Sequence, residues 1–600
     1  MRRALAPFII SALLCAPALT ATAQTPPPPA SATPAPSPTI VPLVPPSGPP
    51  SPPSLPQPPA TPPPATPPAA TPPVATPPAG APASPSPVSG SPAPGPAEAP
   101  APGETPLPTA TPTQPPIIVE PPQVAVEPEK TTSARINSAL GDVTASVDDP
   151  SVATAVVDQQ QRVLFVTGVK VGTTNVTLTD ARGVTRTVAI RVAYAAGIAA
   201  DETTLRVTGE PASAPYLRER IADAVAHAAT LRPGASVQLT PDQVAVHRDL
   251  PTDDRTELDV PVQISGNGYL TVTGTTHVVL INVAMPPIQP ARLLVSDYPE
   301  RLTASGVLFT AHLDRAQAQR FLYYHYDPKT EPARRIVLKA RNPSGAPAMV
   351  QMIEGSAGPE TNEMEVGHLA TERFLVREAR NEGLVRTIPP NATVDLVDQP
   401  LPPETVASGI LQLRLVSGNP VDLTLLALDA SKADDPNDPP STTQLLTGGA
   451  PHARGVYQVP TFFFERTYDV DGADLEIPIG QLPLPNLRQG EALAGDYGVQ
   501  QSMTVVIVNM TKGPRNVALY ANPRGGRATG TFIIDGTLVQ AHALPTFSRY
   551  KLWQERINAG TFRRIHIVTM PEGGSNYPLR LVFAPDDGSV PPGAPGSPIY

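Results

Sequence analysis

The chain has 600 residues, a formal net charge of -10, a single cysteine and 84 prolines. That acidic balance disfavours an electrostatic nucleic-acid partner, and a lone cysteine excludes an internal disulfide framework or a thiolate metal centre. Discounting the biased N-terminal region, enough sequence remains for about three or four domains of ordinary size.

Met1 to Ala23 reads as a secretory signal. Arg2 and Arg3 form a short basic region, Phe8 to Leu14 an apolar stretch too short to span a bilayer, and Ala21 and Ala23 the small residues that a signal peptidase reads. Cleavage is expected before Gln24 and removes Cys15 with the signal. A lipoprotein signal on Cys15 fits less well, because Leu14 stands where a small residue is wanted. No later segment has the uninterrupted apolar length of a membrane span. Residues 24–122 form a Pro-rich spacer, expected to be disordered and largely polyproline II, with a pulse of Thr-Pro-Pro at Thr61, Thr66, Thr71 and Thr76.

The remaining texture is mainly β, in several domains. Over 123–194, Val143, Ala145 and Val147 alternate with polar neighbours, Val163 to Val166 is an apolar strand, and Val188, Ile190 and Val192 share a face. Short strands with this punctuation predict a small β-sandwich. Over 200–287, Leu217, Ile221, Ala224, Val225, Ala228 and Leu231 recur at helical spacing, and Pro233-Gly234 ends the pattern. Strands follow at Ser236 to Leu239, Val260 to Ile264, Tyr269 to Val272 and His277 to Val283, so a helix on a small sheet is expected. His227, His247 and His277 show no metal-ligand spacing.

Two further segments, 291–430 and 454–585, read as related β-sandwiches. Ile336, Leu338, Ala340 and Asn342 match Met503, Val505, Ile507 and Asn509 at a displacement of about 167 residues, and Ile410 to Val416 match Phe562 to Val568 at about 152. The difference predicts an insertion of helical character around Glu363 to Arg380. Residues 431–453 are expected to be a linker and 586–600 a polar, disordered tail.

Two resemblances rest on particular residues. Asp149 to Ala153, Val163 to Gly168 and Val171 to Thr174 resemble the bacterial Ig-like group 2 fold and the N-terminal region of pilus-assembly secretins. This implies a β-sandwich of the kind used by adhesins, wall proteins and secretion components; no secretin-like pore segment follows. Ser296 to Glu300, Gly367-His368 and Ala494 to Val499 resemble a family of uncharacterised exported bacterial proteins, which implies an extracytoplasmic β architecture.

No catalytic constellation stands out: there is no Gly-x-Ser-x-Gly elbow, no His-Glu-x-x-His and no phosphate loop. Asp469, Asp471, Asp474 and Glu476 around Gly472 are a candidate calcium loop, although Asp-Gly is also an ordinary hairpin turn. His368 and Glu372, one helical turn apart near Glu363 and Glu365, could share a metal, or could lie on a solvated acidic face. Asn576-Tyr577 reads as a strand entry. Tyr323, Tyr324 and Tyr326, with Phe462 to Phe464, are candidate stacking platforms for sugar rings; buried, they would be core.

The expectation is an exported, non-enzymatic, cofactor-free structural or interaction protein of the bacterial periplasm or surface, beside pilus or secretion machinery, with envelope proteins or glycans as partners. A carbohydrate-binding surface protein and an extracellular hydrolase with carboxylates that meet only in the fold are the alternatives.

Overall fold

The computed structural model describes residues 115–329, 332–431, 443–589 and 597–598. The expected signal peptide, with Ala21 and Ala23, and almost all of the expected spacer lie outside the described residues. So do residues 432–442 of the expected linker and most of the tail.

The first module pairs two four-stranded sheets. One has the order β1-β3-β6-β5, with β1 Ile118–Glu120, β3 Thr131–Asn137, β5 Ala153–Asp158 and β6 Val163–Gly168. The other is β2-β8-β7-β4, with β2 Gln123–Val126, β4 Thr144–Val147, β7 Gly172–Thr179 and β8 Thr185–Val192. Alternation puts Leu164, Val166, Val176, Leu178, Val188 and Ile190 inside, where they form a core of their own. Asp180 organises its end: Leu140, Arg182 and Val184 donate backbone N–H groups to its carboxylate.

Next come β9 (Gly197–Ile198), β10 (Glu202–Thr208), helix α1 (Ala214–Ala228), β11 (Thr230–Leu231), β12 (Ala235–Val237), β13 (Arg255–Gly266) and β14 (Val272–Asn282). Helix α1 starts where Pro215 suits the first turn and buries Tyr216, Leu217, Ile221 and Val225. It ends before Leu231, short of the expected Pro-Gly stop, because Thr230 and Leu231 pair with Ile198 and Gly197 instead. The two strands expected at Tyr269 and His277 are one, β14, paired throughout with β13.

The first large sandwich contains β15 (Arg292–Ser296), β16 (Gly306–Leu313), β17 (Gln319–Tyr326), β18 (Arg334–Arg341), β19 (Ala348–Glu360), α2 (Glu363–Ala379), β20 (Gly383–Ile388), β21 (Thr393–Leu401), β22 (Val406–Ser417) and β23 (Val421–Asp429). Then come β24 (Arg454–Tyr457) and the second sandwich: β25 (Thr461–Asp469), β26 (Leu475–Ile479), β27 (Gln500–Asn509), β28 (Arg515–Pro523), β29 (Ala528–Ile534), β30 (Thr537–Leu544), β31 (Tyr550–Ile557), β32 (Thr561–Thr569), β33 (Leu579–Pro585) and the short β34 (Ser597–Pro598).

The two sandwiches are built alike. In the first, β20-β19-β22-β17-β15 faces β21-β18-β23-β16; in the second, β30-β29-β32-β27-β25 faces β31-β28-β33-β26. In each, the strand that opens the sandwich runs parallel to its neighbour, β15 to β17 and β25 to β27. The inserted helix is α2, between β19 and β20, where the second copy has only the Asp535-Gly536 turn. The registration on asparagine needs correction, however. Asn342 follows β18, whereas Asn509 ends β27, the counterpart of β17, so those stretches are one strand out of step. The matches β22 to β32 and β23 to β33 are in step.

The expected boundary between 200–287 and 291–430 is also crossed. A single ten-stranded sheet runs β12-β13-β14-β10-β20-β19-β22-β17-β15-β24 through both segments. One core holds Leu217, Ile221 and Val278 together with Leu338, Val350 and Leu425. The expected second sandwich likewise begins later than Arg454, because β24 belongs to the first sheet, antiparallel to β15.

Candidate functional site

The two sandwiches meet along a junction in which α2 is wedged. Helix α2 begins at Asn362, whose side chain accepts the N–H of Glu365, with Glu363 and Glu365 in its first turn. It lies close on β19 because residue 355 is glycine: a Cβ there would stand 2.3 Å from the Ala370 carbonyl oxygen and the Phe374 nitrogen. Phe374 and Leu375 join Leu293, Leu322, Ile410, Val499, Ile533 and Met570 in an apolar seam between the sandwiches.

Buried polar groups pin the seam. Arg320 has no accessible surface; it donates to the Pro460 carbonyl at 2.6 Å and the Gln500 side chain at 2.8 Å, and its guanidinium lies 5.3 Å from the Phe374 ring centre. Glu378 stands 3.5 Å away. Burial pulls the Arg320 guanidinium down to about 10 against the opposing pull of Glu378. A second link joins His368 of α2 to Glu572, Nδ1 to Oε2, at 3.0 Å with both side chains fully buried. The His542 ring packs edge-on against His368 at 4.4 Å. Burial opposes the imidazolium, but Glu572 outweighs it and holds His368 above its ordinary value.

Beside these links lies a cavity of about 210 Å³, lined by Asp297, Glu300, Tyr324, Glu363, His452 and Tyr497 and closed by Gly573 to Asn576. His452 bridges two carboxylates, with Nδ1 3.3 Å from Asp297 and Nε2 3.1 Å from Glu300. Burial raises Asp297 to about 6 despite its contact with His452, while the hydrogen bond to Asp297 lifts His452 above its usual value. Tyr324 donates to the Glu363 carbonyl at 3.3 Å and Tyr497 to the Ser575 carbonyl at 2.8 Å. Gly574 adopts φ +71°, and a Cβ there would stand 2.4 Å from the Glu363 oxygen, so the loop can close only with glycine.

The three stretches that carried the second resemblance meet here: Ser296 to Glu300, Gly367-His368 and Ala494 to Val499 all contribute to the junction. Their convergence across the two sandwiches is not readable from strand periodicity, and no sequence motif marks Asp297 or His452 as a proton site. Chemically, the cavity can hold protons, but both nitrogens of His452 face carboxylates and neither meets a hydroxyl. Ser575 turns away, its Oγ accepting the Thr529 N–H at 2.8 Å. No nucleophile and base pair forms in it.

The sequence-derived candidates fall elsewhere or are enclosed. Tyr323 is fully buried and donates to Gln399 at 2.8 Å; Tyr324 is 6% exposed; Tyr326 is half-buried under the Arg301 guanidinium. They form no sugar platform, because β17 is an interior strand covered on both faces. Among Phe462 to Phe464 only Phe463 is exposed, and Trp553 is half-buried against the second core. Tyr577 is half-buried against the second core, with its hydroxyl donating to the Thr529 carbonyl. The four calcium-loop candidates do not converge: Asp471 faces Arg515, Asp474 faces Arg549, Glu476 accepts from Arg580 at 2.6 Å, and Asp469 Oδ1 accepts the Asp471 N–H. Among the described residues, no three His, Cys, Asp or Glu side chains group as metal ligands, His368 and Glu372 included.

Residues 120–193 match the family model for the pilus formation protein N-terminal region. No curated protein matches the chain. Among solved structures, domains 5-6 of the S-layer protein SbsC share 14% identity over 28% of this chain and 96% of theirs, with a TM-score of 0.13. SGBP-B of the Bacteroides ovatus mixed-linkage glucan utilization locus shares 12% over 49% and 71%, with a TM-score of 0.11. The insect immune protein hemolin shares 11% over 76% and 98%, with a TM-score of 0.15. At such scores these likenesses carry no functional weight. No helix among the described residues is long and apolar enough to cross a membrane.

Proposed function

We propose that the chain is an exported, non-enzymatic structural or interaction protein of the bacterial envelope that works beside pilus or secretion machinery. The observation that carries this reading is the match of residues 120–193 to the pilus formation N-terminal model. It is supported by the signal-like Met1 to Ala23, by the Pro-rich stretch behind it, and by a cavity whose His452 has both ring nitrogens held by carboxylates. In this reading the first module engages the machinery, and the two sandwiches, locked through Arg320 and His368, present a rigid surface beyond it.

The test combines fractionation, N-terminal sequencing and in-cell crosslinking. The expected product begins at Gln24, resides in an envelope or extracellular fraction, and crosslinks to a pilus or secretion component through residues 120–193. Recovery of an unprocessed chain from the cytoplasm would refute the proposal.

A further inference from the structure

The ten-stranded sheet has a split. Strands β10 and β20 pair only at Val207 with Leu384 and Thr208 with Gly383. Beyond that point Thr203 to Arg206 have no partner on the β20 side, although β10 stays paired to β14 on its other side. Residues 385–388 of β20 likewise pair only with β19. The gap opens into a groove of about 560 Å³, flanked by α1 and by β21. Each facing backbone edge thus carries unpaired N–H and C=O groups, a template for an added strand.

Its charges are unevenly spent. All five carboxylates lining the groove are already in ion pairs: Glu219, Asp223 and Glu354 with Arg220 at 2.5, 3.1 and 3.3 Å, Asp395 with Lys339 at 2.7 Å, and Asp398 with Arg335. Arg373 donates to the Ser356 carbonyl. Arg206 and Arg386 also line the groove and form no ion pair among the described residues. The Arg386 Nε is sealed from solvent without a hydrogen-bond partner. Arg386 is half-buried with no carboxylate among the described residues within ion-pair distance, feeling Glu354 and Asp223 only at longer range while Arg220 opposes it, so a carboxylate brought against it would be favourable. The two arginines lie on opposite faces of the split: Arg386 shares its face with the core residues Leu384 and Ile388, whereas Arg206 points away from the core positions Leu205 and Val207.

We propose that this split receives an extended segment of a partner protein bearing carboxylate side chains, which adds as a strand between β10 and β20. Its backbone completes the ladder, and its acidic side chains reach Arg386 on one face and Arg206 on the other. The proposal is independent of the pilus reading, since the groove lies outside residues 120–193.

Fluorescence anisotropy on the full chain tests it with a labelled seven-residue peptide, Val-Glu-Glu-Val-Glu-Glu-Val, whose adjacent glutamates point to opposite faces of an extended strand. The expected result is saturable binding that Arg386→Gln weakens by about tenfold and Arg206→Gln by several-fold, and that rising salt erodes. A lysine-for-glutamate peptide should not bind, and a version with proline at alternate positions, lacking N–H donors, should bind about tenfold more weakly. Both variants should melt as the parent does; Arg206 is exposed and serves if Arg386→Gln does not fold. Absence of acidic-peptide binding overturns the proposal, as do equal binding by the lysine peptide or by both variants. Equal competition by free glutamate would reduce the groove to a simple anion site, and displacement of the peptide by self-association would assign it to a second copy; either outcome overturns it too.

Discussion

Arg320 stands in the sequence just before the cluster of Tyr323, Tyr324 and Tyr326, yet it is fully buried, 140 and 180 residues from the groups it binds at Pro460 and Gln500. The burial of Tyr323 is one of the two readings the sequence allows for that cluster. The burial of Arg320 is not readable there, because its partners belong to another sandwich. Arg320→Ala should therefore destabilise the junction by about 3–5 kcal/mol, since it leaves Glu378 without its cation and takes the 2.8 Å donor from the Gln500 side-chain oxygen. Urea denaturation of the full chain measures this, and a loss below about 1 kcal/mol would contradict it. His368 gives a pH-dependent counterpart. Its proton is held more tightly in the folded chain, so the stability it contributes is complete below the ordinary histidine value and is lost as pH rises through its raised folded value. Glu572→Gln should accordingly cost more stability at pH 6 than at pH 9; equal costs would remove Glu572 as the cause.

At the level of elements, Asn342 and Asn509 show how far local grammar can mislead. Asn342 donates to the Ala346 and Ile388 carbonyls at 2.7 and 3.1 Å and accepts from Ser344. Asn509 donates to the Gly513 and Ile557 carbonyls at 3.0 and 2.9 Å and accepts from Thr511. The two turns are chemically the same, so the sequence matches them, but they occupy different corners of the repeated fold. Strand order, which no single hairpin encodes, decides the true correspondence. Each asparagine ties a turn that crosses between the two facing sheets of its sandwich to a second turn. Asn342→Ala and Asn509→Ala should each cost about 1–3 kcal/mol by leaving buried carbonyls unpaired, and thermal melts with paired Asp variants would separate loss of the donor from loss of the turn. The α2 insertion is legible because it changes the spacing between landmarks; its wedging at the junction is not, since Gly355, Gly573 and Gly574 reveal their role only when the facing backbone is in place.

Over the whole molecule, β texture and the sandwich class are written in alternation along the chain, and the first module can be placed from its strands alone. The union of 200–287 with 291–430 is hidden because β10 and β20 join through two residue pairs separated by a long stretch of chain. The structure therefore predicts different fates for fragments. Residues 115–195 have a closed core and should fold in isolation with a cooperative melt. Residues 195–287 share their core with the first sandwich and should not. Amide dispersion in NMR spectra of the two fragments decides, and a well-dispersed spectrum from 195–287 would overturn the shared-core account.

One consequence follows from β24. Its Arg454–Tyr457 backbone is zipped antiparallel onto β15 immediately before the chain enters the second sandwich. A tensile load applied between the two sandwiches would, once the seam between them has parted, reach this short ribbon before either packed interior, and would peel it pair by pair rather than shear it. Under an optical trap, parting of the seam should be followed by a small, low-force, reversible extension that releases the segment around β24, and only then by larger ruptures of the sandwiches, so that the connection behaves as a mechanical fuse.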